Sequence, residues 1–152
     1  MSARRRIALA GALALLGAER ALVVCSQDSL DEMSISAPTT VVEVDGPDIT
    51  TYTVSPEDVG LPTSSAGSVE GGSPRDNADT TRAILGGEAG PRRDLAVLNA
   101  GAAIYVAGRA ADLGAGVAAA QAAIDDGSAL RALDALVAHT QAIGAPSPEA
   151  AR

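Results

Sequence analysis

Asp31 and Glu32 are adjacent in Ser29-Leu30-Asp31-Glu32-Met33-Ser34, just after the apolar run Ala21-Leu22-Val23-Val24-Cys25. A short apolar run of this kind reads as a core strand, so the two carboxylates fall in the loop at its carboxyl end. Carboxylate oxygens there can hold Mg²⁺ and present it to a phosphorylated substrate, and open α/β sheets keep ligands at that end of their strands. Acid pairs are also common on solvated surfaces, because Asp and Glu are rarely buried. The two residues alone leave both readings open.

The other reactive side chains form no second constellation. Gly114-Ala115-Gly116-Val117-Ala118-Ala119 has the letters of a dinucleotide-binding turn, but that motif needs a preceding strand and none is expected there. His139 is the single histidine; without a second ligand or a paired acid placed near it, it makes neither a metal site nor a triad. Arg92-Arg93 can meet phosphate, while the simpler expectation is a solvated loop between helices. No catalytic or cofactor-binding side chain is assigned beyond the acid pair, which is the candidate metal site.

Composition narrows the function. The 152 residues suffice for one domain with a core, and 47% are hydrophobic, yet Phe and Trp are absent and the aromatics are Tyr52 and Tyr105. The core must therefore be built from Ala, Val, Leu and Ile, which bury less area per residue than aromatics. A net charge of -8 argues against a nucleic-acid partner. All positive charge is Arg, with no Lys, a pattern read as codon bias rather than phosphate recognition. The single Cys25 makes no intramolecular disulfide, which fits a reducing cytoplasm. Arg4-Arg5-Arg6 and the apolar residues 7–18 imitate a secretory leader, and Leu22-Val23-Val24-Cys25 a lipoprotein cleavage site. Glu19-Arg20 interrupts that stretch, which is too short to span a bilayer. A buried helix ending near Gly17 is the expectation, with no membrane partner.

Positioning the acid pair falls to the elements around it. The helix and strand 21–25 form a helix-to-strand unit. Residues 39–44 and 49–54 are rich in β-branched residues, and Asp45-Gly46-Pro47-Asp48 between them predicts a hairpin. Ser55-Pro56 starts a short helical turn. Residues 62–72 are a loop. Ser73-Pro74 with Asp76 opens a helix that ends near Gly86-Gly87. Asp94 is expected to cap a helix over 95–107, apolar nearly all round and hence central. Asp112 opens a third, with Leu113, Val117, Ala120 and Ile124 on one face before Gly127. Ser128 is expected to cap a fourth, with Leu130, Leu133 and Val137 inward.

Read in order, Gly17-Ala18-Glu19-Arg20-Ala21-Leu22-Val23-Val24, then Leu30-Asp31-Glu32-Met33-Ser34, then Tyr52-Thr53-Val54-Ser55-Pro56-Glu57-Asp58-Val59-Gly60-Leu61 resemble the later half of the anthranilate phosphoribosyltransferases. The likeness continues through Gly71-Gly72-Ser73-Pro74, Thr81-Arg82-Ala83-Ile84-Leu85-Gly86-Gly87-Glu88 and Gly90-Pro91-Arg92-Arg93-Asp94, then Leu98-Asn99-Ala100 and Ala122-Ala123-Ile124-Asp125-Asp126-Gly127. It implies an α/β fold: the C-terminal part of a phosphoribosyltransferase (nucleoside phosphorylase-like) α/β domain, with short strands and a hairpin followed by a run of helices. The expected division is a sheet-forming segment over residues 1–61, a loop over 62–72, a helical segment over 73–143 and a tail over 144–152. The resemblance further implies transfer of the phosphoribosyl group from phosphoribosyl pyrophosphate to anthranilate in tryptophan biosynthesis, with Asp31 and Glu32 as Mg²⁺ ligands.

The likeness covers less than half of a complete family member. The diphosphate-cradling glycine loop, the second substrate loop and the N-terminal helical region, through which the family forms homodimers, have no counterpart in these residues. A C-terminal fragment, inactive alone, is therefore expected. Two departures bear on the acid loop: Cys25-Ser26 replaces the family's usual His-Gly, and Ser29 stands where Gly is common, although Gly tolerates backbone conformations that Ser resists. The competing readings are a non-catalytic remnant or exported acidic α/β interaction module, and, lower, a relative of the pyrimidine nucleoside phosphorylases.

Overall fold

One apolar run and two β-branched runs become three strands in the computed structural model, which describes residues 2–144. Helix α1 (Ala3–Leu15) precedes β1 (Arg20–Ser26), β2 (Thr39–Asp45) and β3 (Asp48–Val54); a single 3₁₀ turn, Pro56–Val59, then leads through an irregular stretch to α2 (Pro74–Leu85), α3 (Pro91–Val106), α4 (Leu113–Asp125) and α5 (Ser128–Gly144). The sheet order is β1-β2-β3. Both pairings are antiparallel, with Val23 opposite Val42 and Val42 opposite Thr51. The hairpin expected at 39–54 is present, and Asp45 and Asp48 pair across Gly46-Pro47. Gly46 takes φ 56°; since Pro47 cannot have positive φ, a type II′ turn is the tight hairpin turn that fits.

One sheet face holds Val23, Val42 and Val44 against Ala10 of α1. The other holds Val41 and Val54, which join Met33, Ile35, Leu61, Val97, Leu98, Val117, Ala120 and Ile124 in the main core. The alternation of Val41 and Val42 between faces is the two-residue period of a strand. At Gly101 and Gly116 the backbones of α3 and α4 come together: a Cβ on Gly116 would lie 2.3 Å from the Gly101 carbonyl oxygen, and one on Gly101 would lie 2.6 Å from the Val117 nitrogen.

Several expectations change. The carboxyl-end rule belongs to parallel sheets, whereas these three strands are antiparallel; bonds within the acid loop and to α3, described below, fix its position instead. Helix α1 is not buried: Ala10 is its one buried residue, and Leu15 and Leu16 are 91% and 84% exposed. Its apolar residues run around the whole helix, while the sheet seats only the Ala10, Leu13 and Ala14 side. Gly17, at φ 85°, does follow its end.

The capping box of Ser73 and Asp76 opens α2 as the residues predict. Helix α3 begins earlier than Asp94, at Pro91, whose fixed φ suits the first helical position, and Asp94 lies in its first turn. It is central on one side only: Val97, Leu98 and Gly101 are buried, while Ala96, Ala100 and Ala103 are exposed. Asp112 caps α4 by accepting from the Ala115 N–H at 2.7 Å, and Val117, Ala120 and Ile124 are buried. Ser128 does not cap α5; its hydroxyl donates to the Ala123 carbonyl at 3.1 Å, and its N–H donates to Asp126 at 2.7 Å. Leu130, Leu133 and Val137 are half-buried. Most of the expected tail, from residue 145, lies outside the described residues.

Candidate active-site loop

The loop from Gln27 to Pro38 carries Asp31 and Glu32, and it is held from within. Asp28 accepts from the hydroxyls of Ser26 and Ser34, the latter at 2.6 Å, and from the Leu30 N–H at 3.3 Å. Partial burial works against its charge, but these donors outweigh that and hold the carboxyl below the usual Asp range. At the loop's ends the Ser26 N–H donates to the Leu30 carbonyl at 3.3 Å, and the Gln27 N–H to the Pro38 carbonyl at 3.0 Å. The Ser34 N–H reaches the Thr39 hydroxyl at 3.1 Å. Ser29 takes φ 74°, alone among the described non-glycine residues in having positive φ. This is the conformation that Gly adopts freely and other L-residues adopt at a cost.

Helix α3 clamps the loop from below. Asn99 accepts from the Met33 N–H at 3.0 Å and donates to the Met33 carbonyl at 2.9 Å and to the Leu95 carbonyl at 3.1 Å. One side-chain amide thus satisfies both backbone groups of the residue after Glu32, whose own side chain is buried in the core. Sequence reasoning placed Asn99 within a matching motif without assigning it this role; an amide on an otherwise apolar helix face was the available signal.

The acids themselves are exposed. They border different clefts: Asp31 one of about 540 Å³ with Arg6, Ser26 and Thr40, and Glu32 one of about 420 Å³ with Glu70, Asn77, Thr80 and Arg92. Desolvation against its cleft wall, then the neighbouring charge of Asp31, raise the Glu32 carboxyl above the ordinary Glu value. A bound cation would relieve the second of these. No group of three or more His, Cys, Asp or Glu able to hold a metal occurs among the described residues. The donor set is two hard carboxylates, which suits Mg²⁺, an ion that keeps several waters and commonly takes one or two protein carboxylates with substrate phosphate oxygens.

The other candidates resolve differently. Arg92 and Arg93 lie in the first turn of α3 and not in a loop, Arg92 exposed and Arg93 half-buried. Arg92 donates to the Glu70 carbonyl at 2.8 Å and to the Thr80 hydroxyl at 3.2 Å. Arg93, its side chain 16% exposed, pairs with Asp125 at 2.6 Å. Gly114 and Gly116 stand in α4, the first beside its Asp112 cap and the second at the α3 contact; the element immediately before α4 is helix α3 and not a strand. His139 is exposed on α5. A cluster not foreseen from sequence centres on Glu43, which accepts from the Tyr52 hydroxyl at 2.8 Å and the Tyr105 hydroxyl at 2.6 Å. Arg20 stands 4.7 Å above the Tyr105 ring. The cluster ties the C-terminal end of α3 to the sheet.

Comparison with known proteins gives consistent results. The model of the glycosyl transferase family, a/b domain, matches residues 2–130. The anthranilate phosphoribosyltransferase of Azorhizobium caulinodans is 46% identical over 142 residues, covering 93% of this chain and 41% of that protein. The crystal structure of the Thermus thermophilus anthranilate phosphoribosyltransferase superposes with a TM-score of 0.82 at 37% identity, over 90% of this chain and 40% of the other. A Saccharomyces cerevisiae variant of that enzyme, solved with Mg bound, has a TM-score of 0.77 at 25% identity, over 88% and 39%. The chain thus spans about two fifths of the length of the relatives it matches. No helix among the described residues is long and apolar enough to cross a membrane.

Proposed function

The chain belongs to the glycosyl transferase family, a/b domain, and from this we propose that it is the C-terminal portion of an anthranilate phosphoribosyltransferase, contributing the metal-binding loop to a cytoplasmic enzyme of tryptophan biosynthesis. The observation that carries the reading is the acid loop: it lies within the family match over residues 2–130, on a backbone held by Asp28 and Asn99 with both carboxylates exposed. In this reading the chain divides into a sheet-forming segment over residues 1–61, a loop over 62–72 and a helical segment over 73–143.

Asp31 and Glu32 would hold Mg²⁺. Bound there, the ion supplies Lewis-acid neutralisation of the diphosphate as it leaves the ribose of phosphoribosyl pyrophosphate. The protein's own contribution is geometric. Asn99 fixes the backbone beyond Glu32, and the hydroxyls on Asp28 fix the approach to Asp31, so little reorganisation is needed when charge develops. Anthranilate and the sugar diphosphate must be positioned largely by the unmatched three fifths, and the 152-residue chain alone is proposed to have no turnover, since positioning supplies much of such a rate.

The test is a chimera that joins this chain to the unmatched portion of the Azorhizobium relative, with turnover followed against Mg²⁺ concentration. Asp31→Asn and Glu32→Gln keep side-chain shape and remove an anionic ligand; each is expected to lower Mg²⁺-dependent turnover roughly a hundredfold while the fold, followed by circular dichroism, is unchanged. Titration curves that superimpose on those of the unsubstituted chimera would remove the metal assignment.

A further inference from the structure

Among the described residues Glu43 is the buried carboxylate of the chain, at 9% exposure. It stands on β2 between Val42 and Val44, and the two-residue period of the strand puts it on the same face as Val41, toward the main core. Its register neighbours are Leu22 of β1 and Thr50 of β3. A buried charge is costly unless hydrogen-bond donors answer it, and two tyrosines do: the Tyr52 hydroxyl donates at 2.8 Å and the Tyr105 hydroxyl at 2.6 Å. The chain has no other Tyr, and no Phe or Trp. Desolvation and then the bond to Glu43 raise Tyr52 above the ordinary tyrosine value, and the bond to Glu43 and then desolvation raise Tyr105, so both hydroxyls keep their protons at neutral pH. Arg20 of β1 covers the Tyr105 ring at 4.7 Å and pairs with Asp45 at 3.3 Å.

The two bonds join different things. Tyr52, in register with Val41, reaches diagonally to Glu43 within a hairpin that the backbone ladder already holds together. Tyr105 comes from the last turn of α3 and ties that helix to the sheet, where no ladder can form. Apolar packing resists separation of helix and sheet but has no direction, whereas a hydrogen bond weakens steeply with angle. Tyr105 therefore restricts how far α3 can slide or roll. Asn99, six residues earlier on the same helix, holds the N–H and C=O of Met33. At the rise and turn of an α-helix the two side chains leave the axis about 9 Å apart along it and about 120° apart around it. Two directional attachments so separated fix the helix, while one alone leaves it a pivot.

We propose that Tyr105 and Glu43 are positioning residues for the acid loop: they seat α3 on the sheet, α3 seats Asn99, and Asn99 holds the backbone of Met33 and with it the adjacent Glu32. Neither borders the clefts of Asp31 and Glu32, so their influence on the acids passes through the helix. A leucine at position 43 would suit its apolar neighbours and bury as readily, but it would offer α3 no directional contact. The consequence for Mg²⁺ rests on the functional reading above; the consequence for the Met33 backbone does not.

The experiment compares the two donors to the one carboxylate. Tyr105→Phe and Tyr52→Phe each delete a hydroxyl bonded to Glu43 and keep the ring. Amide exchange in the 152-residue chain is expected to be faster at the Met33 N–H by about tenfold in Tyr105→Phe and to stay within about twofold in Tyr52→Phe, although each variant loses one hydrogen bond to a buried acid. In an Asn99→Ala background, where Met33 is already released, Tyr105→Phe should add less than about twofold, since the two changes act along one connection. In the chimera described above, Tyr105→Phe should raise the Mg²⁺ concentration for half-maximal turnover by roughly fivefold, and Tyr52→Phe should leave it unchanged. Equal effects of the two variants at Met33, full additivity with Asn99→Ala, or an unaltered Mg²⁺ requirement in an active Tyr105→Phe chimera would each overturn the proposal. Faster Met33 exchange confined to Tyr105→Phe, with no turnover by the unsubstituted chimera, would uphold the positioning pair and count against the functional reading instead.

Discussion

At the scale of single residues, the acid loop contains carboxylates whose titrations pull in opposite directions. Asp28 has its folded value depressed by donors that exceed the cost of burial. It therefore contributes stability above its unfolded value, near 4, and that contribution is lost as pH falls through the folded value. Glu32 is raised by desolvation and by Asp31, so its ionised form opposes folding at neutral pH, and this cost disappears on protonation. Acid titration of Asp28→Asn should accordingly show a weaker loss of stability below about pH 4 than the unsubstituted chain, measured by urea midpoints at successive pH values. Asn99→Ala is the sharper structural test. It orphans the N–H and C=O of Met33, whose residue is buried, and unmet buried groups cost about 1–3 kcal/mol each. A loss of about 2 kcal/mol or more in denaturant unfolding is expected, with faster amide exchange at Met33.

At the scale of elements, the α3–α4 contact depends on two glycines for space and not for backbone freedom. Gly116→Ala would drive a Cβ to 2.3 Å from a backbone oxygen, so the helices must separate; overpacking of this kind costs typically about 1–3 kcal/mol, and about 3 kcal/mol is expected here. Gly114→Ala, two residues nearer the cap, meets only Asp112 Oδ1 at 3.4 Å. Relief of glycine's helix penalty should make it neutral or stabilising by up to about 1 kcal/mol. Thermal unfolding of the two variants side by side measures the difference, and equal effects would show that the close approach is not what selects Gly116. Because α3 also carries Asn99, a displaced α4 should be felt at the acid loop as well.

At the scale of the whole molecule, apolar surface remains uncovered on separate elements: Ile7, Leu9, Leu15 and Leu16 around α1, Ile49 on β3, and Leu136 and Ile143 on α5. Monomeric proteins rarely leave large contiguous apolar patches open, and such patches mark interaction surfaces or aggregation-prone faces. The isolated chain is expected to bind an apolar-surface dye and to run larger than a 15.0 kDa monomer in size-exclusion chromatography. Leu15→Glu together with Leu16→Glu should reduce both effects without unfolding the chain, since neither side chain is packed. A monomer that excludes the dye would show that these surfaces are closed by other means.

The order and kind of elements were legible in the residues because they depend on local chemistry: Val-Val alternation for β2, Gly46-Pro47 for the hairpin turn, Ser73 with Asp76 for the start of α2, and Gly127 at φ 74° after α4. The acid pair was legible as candidate chemistry for the same reason, and the unusual backbone at Ser29 was foreshadowed by a serine standing where the resemblance implied glycine. What the residues did not disclose were contacts between distant regions of the chain. Met33 and Asn99 are 66 positions apart, Glu43 and Tyr105 are 62 apart, and nothing local in either partner names the other. The helical period of α1 likewise said that it was apolar, but not that the sheet would cover only one side of it. Local propensity decides which element forms; only the packed chain decides which polar group answers which, and so how the acid loop is held in place.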